Sequence, residues 1–316
     1  MSEATPPTRS LPDKPKSRTG WIVGIGIAVV AIIVAVVLVI VNISGSSSST
    51  AADKRVTVKI GTTEQAAPWW KPLKTAAAKE GIDITVVGFS DYTQANPALS
   101  TKQIDLNLFQ HLQFLANYNV NANDTLTPIG STLVVPLPLY SDKYKSVDEL
   151  PQGAKIAIPN DTTNQARALL VLQKAGLLKL KDGGNALSTP ADILAGESKV
   201  TVIPVDAQQT APALKSSDAA IINNNFALTA GIDPSSAIFK DDPSSSSAEP
   251  YINTFVARAA DKNNKTYLKI AELYHTKAVE DAVLADSKNT AVIVKRPNAD
   301  LEKILADLEK TIKAAK

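Results

Sequence analysis

Apolar residues fall into two kinds of run along this chain. The first is a single block, Trp21 to Ile43, almost unbroken over about 23 residues. At about 1.5 Å per residue it spans about 35 Å, enough to cross a bilayer core of about 30 Å, and it predicts a transmembrane helix. After it the runs are short and their period changes repeatedly. Arg55 to Ile60 alternates as a strand, Pro72 to Glu80 reads as a helix, and Ile82 to Val87 is a second strand ending at Gly88. Further strands fit Ile104 to Phe109, Thr132 to Pro136, Lys155 to Ile158, Val200 to Pro204 and Ala219 to Ile222. Helices fit Asn164 to Ala175, Tyr267 to His275 and Leu301 to Ala315. Strands alternating with helices predict α/β layers with largely parallel sheets. Ser244 to Ser247 and Asp182 to Asn185 read as surface loops, and no internal repeat is visible.

Charge orients this plan. Residues 1–20 are polar and Pro-rich, carry Arg9, Lys14, Lys16 and Arg18 against Glu3 and Asp13, and read as a disordered basic tail. Residues 44–54 form a linker that opens on a Gly/Ser/Thr/Ala stretch without charge, a flexible tether. The positive-inside rule then puts the tail in the cytoplasm and the body outside, as a single-pass protein of the cell membrane. A cleaved signal peptide is the rival, but its apolar region is usually only about 7–15 residues long, which favours an uncleaved anchor over 21–43. Gly20 and Gly24 make one G-x-x-x-G spacing, too weak to claim a dimer, and a monomer is expected.

Composition mainly excludes. The 316 residues, 44% hydrophobic, suit about two domains with a real core. With no cysteine there is no disulfide, thiolate nucleophile, thiolate metal site or lipid-modified cysteine. The net charge of +2 is concentrated in the tail, and no basic run interleaved with aromatics suggests nucleic acid. Catalysis is poorly supported: there are two histidines, and no zinc, nucleophile-elbow, dinucleotide or P-loop spacing. His275, in Ala271-Glu-Leu-Tyr-His, reads as a structural or solvated histidine. No cofactor or metal is expected, and the chain is not expected to be an enzyme.

Binding residues gather instead where strands give way to turns, the places that line the ligand crevice of open α/β sheets. In Lys155 to Leu172 a short buried strand ends at Pro159, Asp161 or Thr162 caps a helix, and Asn164 and Arg167 share a face of it. Free N–H groups at a helix start favour an anion, and an arginine fork pairs with a carboxylate. The other clusters are Asp91-Tyr92, Phe109-Gln110-His111, and Asn223-Asn224-Asn225-Phe226 after the buried run Ala219 to Ile222. Three asparagines ending a buried strand cannot all enter a core without partners. Taken singly, Phe109 reads as core and His111 as structural. Together they describe a pocket for an amino acid with an apolar side chain. Arg167 takes the carboxylate, amide oxygens take the ammonium, and Tyr92, Phe109 and His111 hold the side chain, where sulfur–aromatic contacts would suit a thioether.

At these clusters the chain resembles the NlpA / methionine-binding lipoprotein family, the substrate-binding components of methionine ABC importers. The resemblance rests on Gly88-Phe-Ser-Asp-Tyr-Thr-Gln-Ala-Asn-Pro-Ala-Leu, Asp105-Leu-Asn-Leu-Phe-Gln-His and Tyr140-Ser-Asp-Lys-Tyr-Lys-Ser-Val-Asp-Glu-Leu. It continues through Ile158-Pro-Asn-Asp-Thr-Thr-Asn-Gln-Ala-Arg-Ala-Leu, Gly176-Leu-Leu-Lys-Leu-Lys-Asp, Ile221-Ile-Asn-Asn-Asn-Phe-Ala and Glu249-Pro-Tyr-Ile-Asn, from about Val56 to the C-terminus. It implies a two-lobed, type II periplasmic-binding-protein-like α/β fold, with 55–137 plus 250–316 as lobe 1 and 138–249 as lobe 2. The lobes would close on free methionine and deliver it to an ABC importer permease and its ATPase. Carried over by position, the ligand residues are Tyr92, Phe109, His111, Asn160, Asn164, Arg167 and Asn223, with Phe114 where the family often has tyrosine. Three departures stand out. A membrane helix replaces the family's lipid-modified cysteine, Val135 stands where many relatives carry an aromatic, and Gly61-Thr-Thr-Glu-Gln-Ala-Ala-Pro-Trp-Trp does not follow the usual first turn. Trp69 and Trp70 are expected to pack rather than reach the pocket. Other apolar amino acids, a methionine-containing peptide, or a scaffold with a vestigial cleft remain as alternatives.

Overall fold

The computed structural model describes residues 55–316. The tail, membrane anchor and linker expected over residues 1–54 lie outside the described residues. Among the described residues no helix is long and apolar enough to cross a membrane.

The chain first lays down β1 (Val56–Thr62), α1 (Trp70–Lys79), β2 (Ile82–Gly88), α2 (Tyr92–Ser100), β3 (Leu106–Asn107), α3 (Leu112–Ala122), β4 (Thr127–Ser131) and the short β5 (Leu133–Val134). It then builds β6 (Pro138–Tyr140), β7 (Ala154–Pro159), α4 (Thr162–Lys174), β8 (Val200–Val205), α5 (Thr210–Ala213), β9 (Ala219–Ile221), α6 (Asn224–Thr229) and β10 (Phe239–Lys240). It returns through β11 (Thr254–Ala257), α7 (Lys265–Tyr274), α8 (Lys277–Asp286), β12 (Val292–Ile293) and α9 (Asn298–Ala314).

Two five-stranded sheets result, ordered β2-β1-β3-β11-β4 and β10-β6-β9-β7-β8, with β5 and β12 paired apart. Neither is largely parallel, which corrects the expectation from strand–helix alternation. β1 runs parallel to β2 and β3, but β11 lies between β3 and β4 antiparallel to both. In the second sheet β7 is parallel to β8 and β9, while β6 and β10 run antiparallel on the far edge. The cause is the route: β11 re-enters the first sheet only after the chain has crossed to the second and come back.

Strand β7 shows why its sequence is a continuous apolar run. Ile156 and Ile158 pack with Leu169 and Leu172 of α4, while Ala157 packs on the other side in a cluster with Ala211 and Leu214 at α5 and Ala227 of α6. Both faces are covered, so neither can be polar. Burying each such aliphatic side chain is worth about 1.5–3 kcal/mol. Two segments join the sheets: the stretch around β5 leading to β6, and the stretch from β10 to β11. The halves also touch directly. Lys288 pairs with Asp233 at 2.6 Å, and Leu187 packs against the cluster of Leu99, Leu115 and Leu305.

Candidate functional site

Between the sheets lies a cavity with an enclosed volume of about 90 Å³ that opens to solvent, lined by apolar and aromatic side chains with polar groups among them, as small-molecule sites are. Its walls come from residues just beyond β1, β3 and β9 and from α4. Tyr92, Phe109, His111, Phe114, Asn164, Arg167 and Asn223 all line it. Asn160 does not: its side chain is exposed and donates from Nδ2 to Asp206 at 2.7 Å. The turn after Pro159 aims it outward.

Asp161 takes the N-cap of α4, accepting from the Asn164 backbone N–H at 3.0 Å and from Asn164 Nδ2 with both carboxylate oxygens. The helix start read as an anion seat is thus occupied by the chain's own carboxylate. The cap also fixes Asn164, whose Oδ1 accepts from Asn223 Nδ2 at 2.8 Å across the cavity floor.

Arg167 lies one turn along the same face, only 4% exposed. Its Nε donates to Asp241 Oδ2 at 2.9 Å, Nη2 approaches the same oxygen at 2.8 Å, and Nη2 donates to the Val135 carbonyl at 2.9 Å. The guanidinium carbon sits 4.1 Å over the ring of Tyr251. One edge of the arginine is therefore used internally, and among the described residues Nη1 alone has no hydrogen-bond partner. Val135 enters this arrangement through its backbone carbonyl.

His111 caps α3, its Nδ1 accepting from the Phe114 backbone N–H at 3.1 Å. With Nδ1 an acceptor, the ring proton belongs on Nε2. Burial, helped by the positive charge of Arg167, pulls the imidazole down to about 3, so it stays neutral at ordinary pH. Its Nε2 is buried and makes no hydrogen bond to any described residue, and Asn223 Oδ1 is in the same condition. The cavity thus presents one unpaired donor and one unpaired acceptor, which buried polar groups rarely leave unmatched.

The apolar wall is a nest of rings. Tyr92 lies 6.1 Å from Phe109 and 6.0 Å from Phe114 by ring centroid, and Phe226 of the other half reaches within 5.1 Å of Tyr92. Tyr92 Oη donates to Asn225 Oδ1, so this wall also spans the halves. Behind Phe109 and His111, Gln110 is locked with Asn96 and Asn107 in a fully buried amide triad. Sequence reading missed Asn96, Asn107 and Asp241. Only Asn107, a polar residue inside the largely apolar run Ile104 to Phe109, carries a local signal. Trp69 and Trp70 both pack in the first core, and Trp69 also lines the cavity. His275 ends α7, bridging Glu280 and the Ser131 carbonyl, a structural role.

Glu64 closes one end of the cavity near Asp286. Burial, reinforced by the charge of Asp286, raises its carboxyl from 4.5 to about 7, and burial raises Asp286 as well. Between these two values the folded chain keeps a proton that the unfolded chain has released. The stability this group contributes is full below about 4.5 and is lost as pH rises through about 7. Glu64→Gln is expected to flatten the fall in thermal midpoint between pH 5 and 8 and to be the more stable form at pH 8. Parallel pH profiles for variant and wild type would place the ionisation elsewhere. Among the described residues no three His, Cys, Asp or Glu side chains are grouped to hold a metal ion.

A family model described as NlpA lipoprotein matches residues 58–295. A protein of Haemophilus influenzae, named probable D-methionine-binding lipoprotein MetQ, is 39% identical over 208 residues, 65% of this chain and 75% of its own length. The crystal structure of protein PG110 from Staphylococcus aureus is 40% identical, with a TM-score of 0.76 over 79% of this chain and 99% of that one. The substrate-binding protein of a methionine transporter from Streptococcus pneumoniae is 34% identical, with a TM-score of 0.70 over 75% and 95%.

Proposed function

The chain belongs to the NlpA lipoprotein family, and from that premise we propose that it is an extracytoplasmic solute-binding protein that captures methionine and delivers it to an ABC importer. The observation that carries the reading is the polar pair left open in the cavity beside Arg167: the His111 Nε2 donor and the Asn223 Oδ1 acceptor. An α-amino acid offers the matching groups on a single carbon. Its carboxylate accepts from Arg167 Nη1 and His111 Nε2–H, and its ammonium donates to Asn223 Oδ1. Asn164 acts by holding Asn223, and Asn160 acts only through the shape of the turn. The side chain lies among Tyr92, Phe109 and Phe114, where a thioether gains about 0.3–1.5 kcal/mol per sulfur–aromatic contact. Relatives named as methionine binders favour methionine within this class.

Lobe 1 is 55–137 with 250–316 and lobe 2 is 138–249. The division of strands between the two sheets supports this, and the joining segments serve as the hinge. Closure brings Tyr92 to Asn225 and Phe226, and the closed face is what the permease, with its ATPase, recognises. No catalytic step is assigned. Relatives are named lipoproteins, yet this sequence has no cysteine to carry a lipid. The apolar block 21–43 is therefore proposed as the anchor that holds the body at the outer face of the cell membrane, as a monomer. Cells lacking this chain are expected to lose high-affinity uptake of labelled methionine and to regain it with the full-length protein, recovered in the membrane fraction after alkaline extraction. Undiminished uptake in its absence would remove the transport role.

A further inference from the structure

Asp241 follows β10 directly, in the segment that returns the chain to the first sheet, and it is not among the residues lining the cavity. Its carboxylate nevertheless gathers the groups around the ligand arginine. Oδ2 accepts from Arg167 Nε at 2.9 Å with Nη2 at 2.8 Å, and Oδ1 accepts from the Leu137 backbone N–H at 2.7 Å. Leu137 belongs to the other joining segment, as does Val135, whose carbonyl takes a second proton from Arg167 Nη2. Tyr251, again in the return segment, lies under the guanidinium.

These contacts divide the work. Stacking on Tyr251 fixes the plane of the guanidinium, and Asp241 together with Val135 fixes its rotation within that plane. Five N–H donors are available, and only those on Nη1 remain for a ligand. A buried guanidinium also needs a counter-charge, which Asp241 supplies from outside the cavity. We propose that Asp241 is the positioning residue of the carboxylate seat, and that it ties Arg167 to both segments joining the lobes. Occupancy of Nη1 is thereby felt at the hinge. This rests on the amino-acid reading above.

The test uses full-length protein in detergent, unfolded, washed and refolded. It is titrated with methionine and with methioninamide, which keeps the ammonium and side chain but has no anionic carboxylate. Wild type is expected to prefer methionine strongly. Asp241→Asn is expected to lose about 10- to 100-fold in methionine affinity, the range seen when partners that orient a binding group are removed at metal sites. Its methioninamide affinity is expected to change little, so the preference collapses. A merely structural role would weaken both ligands alike, and that result, an unchanged preference, or tighter methionine binding would overturn the proposal. Should Asp241→Asn not fold, Asp241→Glu keeps the charge but displaces it by one methylene. It is expected to show the same loss of preference, and retention of the wild-type preference overturns the proposal. Wild type binding neither compound would overturn the amino-acid reading and this inference with it. A wild type that binds while the variants keep its preference overturns this inference alone.

Discussion

Arg167→Ala is expected to weaken methionine binding by about 100-fold or more. The loss combines a charge-assisted hydrogen bond worth about 1.5–3 kcal/mol with the cost of leaving the ligand carboxylate without its counter-charge. The variant should also be less stable without ligand. Asp241, 18% exposed against 4% for the arginine, would keep the Leu137 N–H but lose its counter-charge. Breaking a buried pair from one side costs about 3–5 kcal/mol, and partial exposure of Asp241 puts the expected loss at or below the lower end. Arg167→Lys separates the two effects. It keeps a positive charge near Asp241 but cannot serve Asp241, Val135 and a ligand at once, so stability should largely return while affinity stays low. Calorimetric titration beside thermal unfolding measures both. Wild-type affinity in Arg167→Ala would mean that the carboxylate lies elsewhere.

Asn96→Leu is expected to be among the most destabilising single changes in the body, by about 3 kcal/mol or more. Asn96 donates to Gln110 Oε1 and accepts from both Asn107 Nδ2 and Gln110 Nε2, all at buried positions. Removing it strands the Asn107 Nδ2 donor and the Gln110 Oε1 acceptor, each costing about 1–3 kcal/mol when left unmatched, and leaves Gln110 Nε2 with Asn107 Oδ1 alone. Against a total stability of about 5–15 kcal/mol that is a large fraction. Gln110 lies between Phe109 and His111, so the surviving protein should also bind methionine more weakly. Urea unfolding of wild type and variant checks the first expectation. A change within 0.5 kcal/mol, the scale of an ordinary surface substitution, would show that the triad is dispensable.

What the sequence made legible follows from where the physics is local. Strands β1, β2, β7 and β8 and helices α1, α4, α7 and α9 are marked by local apolar runs or periods, and each lies within a few residues of its expected span. α2 and α3 escaped because Pro97 interrupts one and asparagines at 117, 119 and 121 dilute the apolar period of the other. The strand expected over Ile104 to Phe109 shrinks to Leu106–Asn107, since Phe109, Gln110 and His111 leave the ladder to form the cavity wall. The antiparallel β11 was not legible because its pairing depends on the chain returning from the other half. Clusters at strand ends pointed to one cavity, and most of their residues do line it. Asn160 could not be sorted from its neighbours, because the direction of a turn side chain depends on backbone angles. Asp241, 74 residues from its partner, was invisible because nothing local in Lys-Asp-Asp-Pro announces a contact with Arg167.

The most direct measurement is the thermal midpoint of the unfolded, washed and refolded protein with each amino acid added singly. At about 100 times its dissociation constant a ligand adds about 2.7 kcal/mol, or about 5–10 °C for a body of this size. Methionine is expected to give that rise, with other apolar amino acids giving less and charged ones none. No rise with any amino acid would contradict the account at its centre.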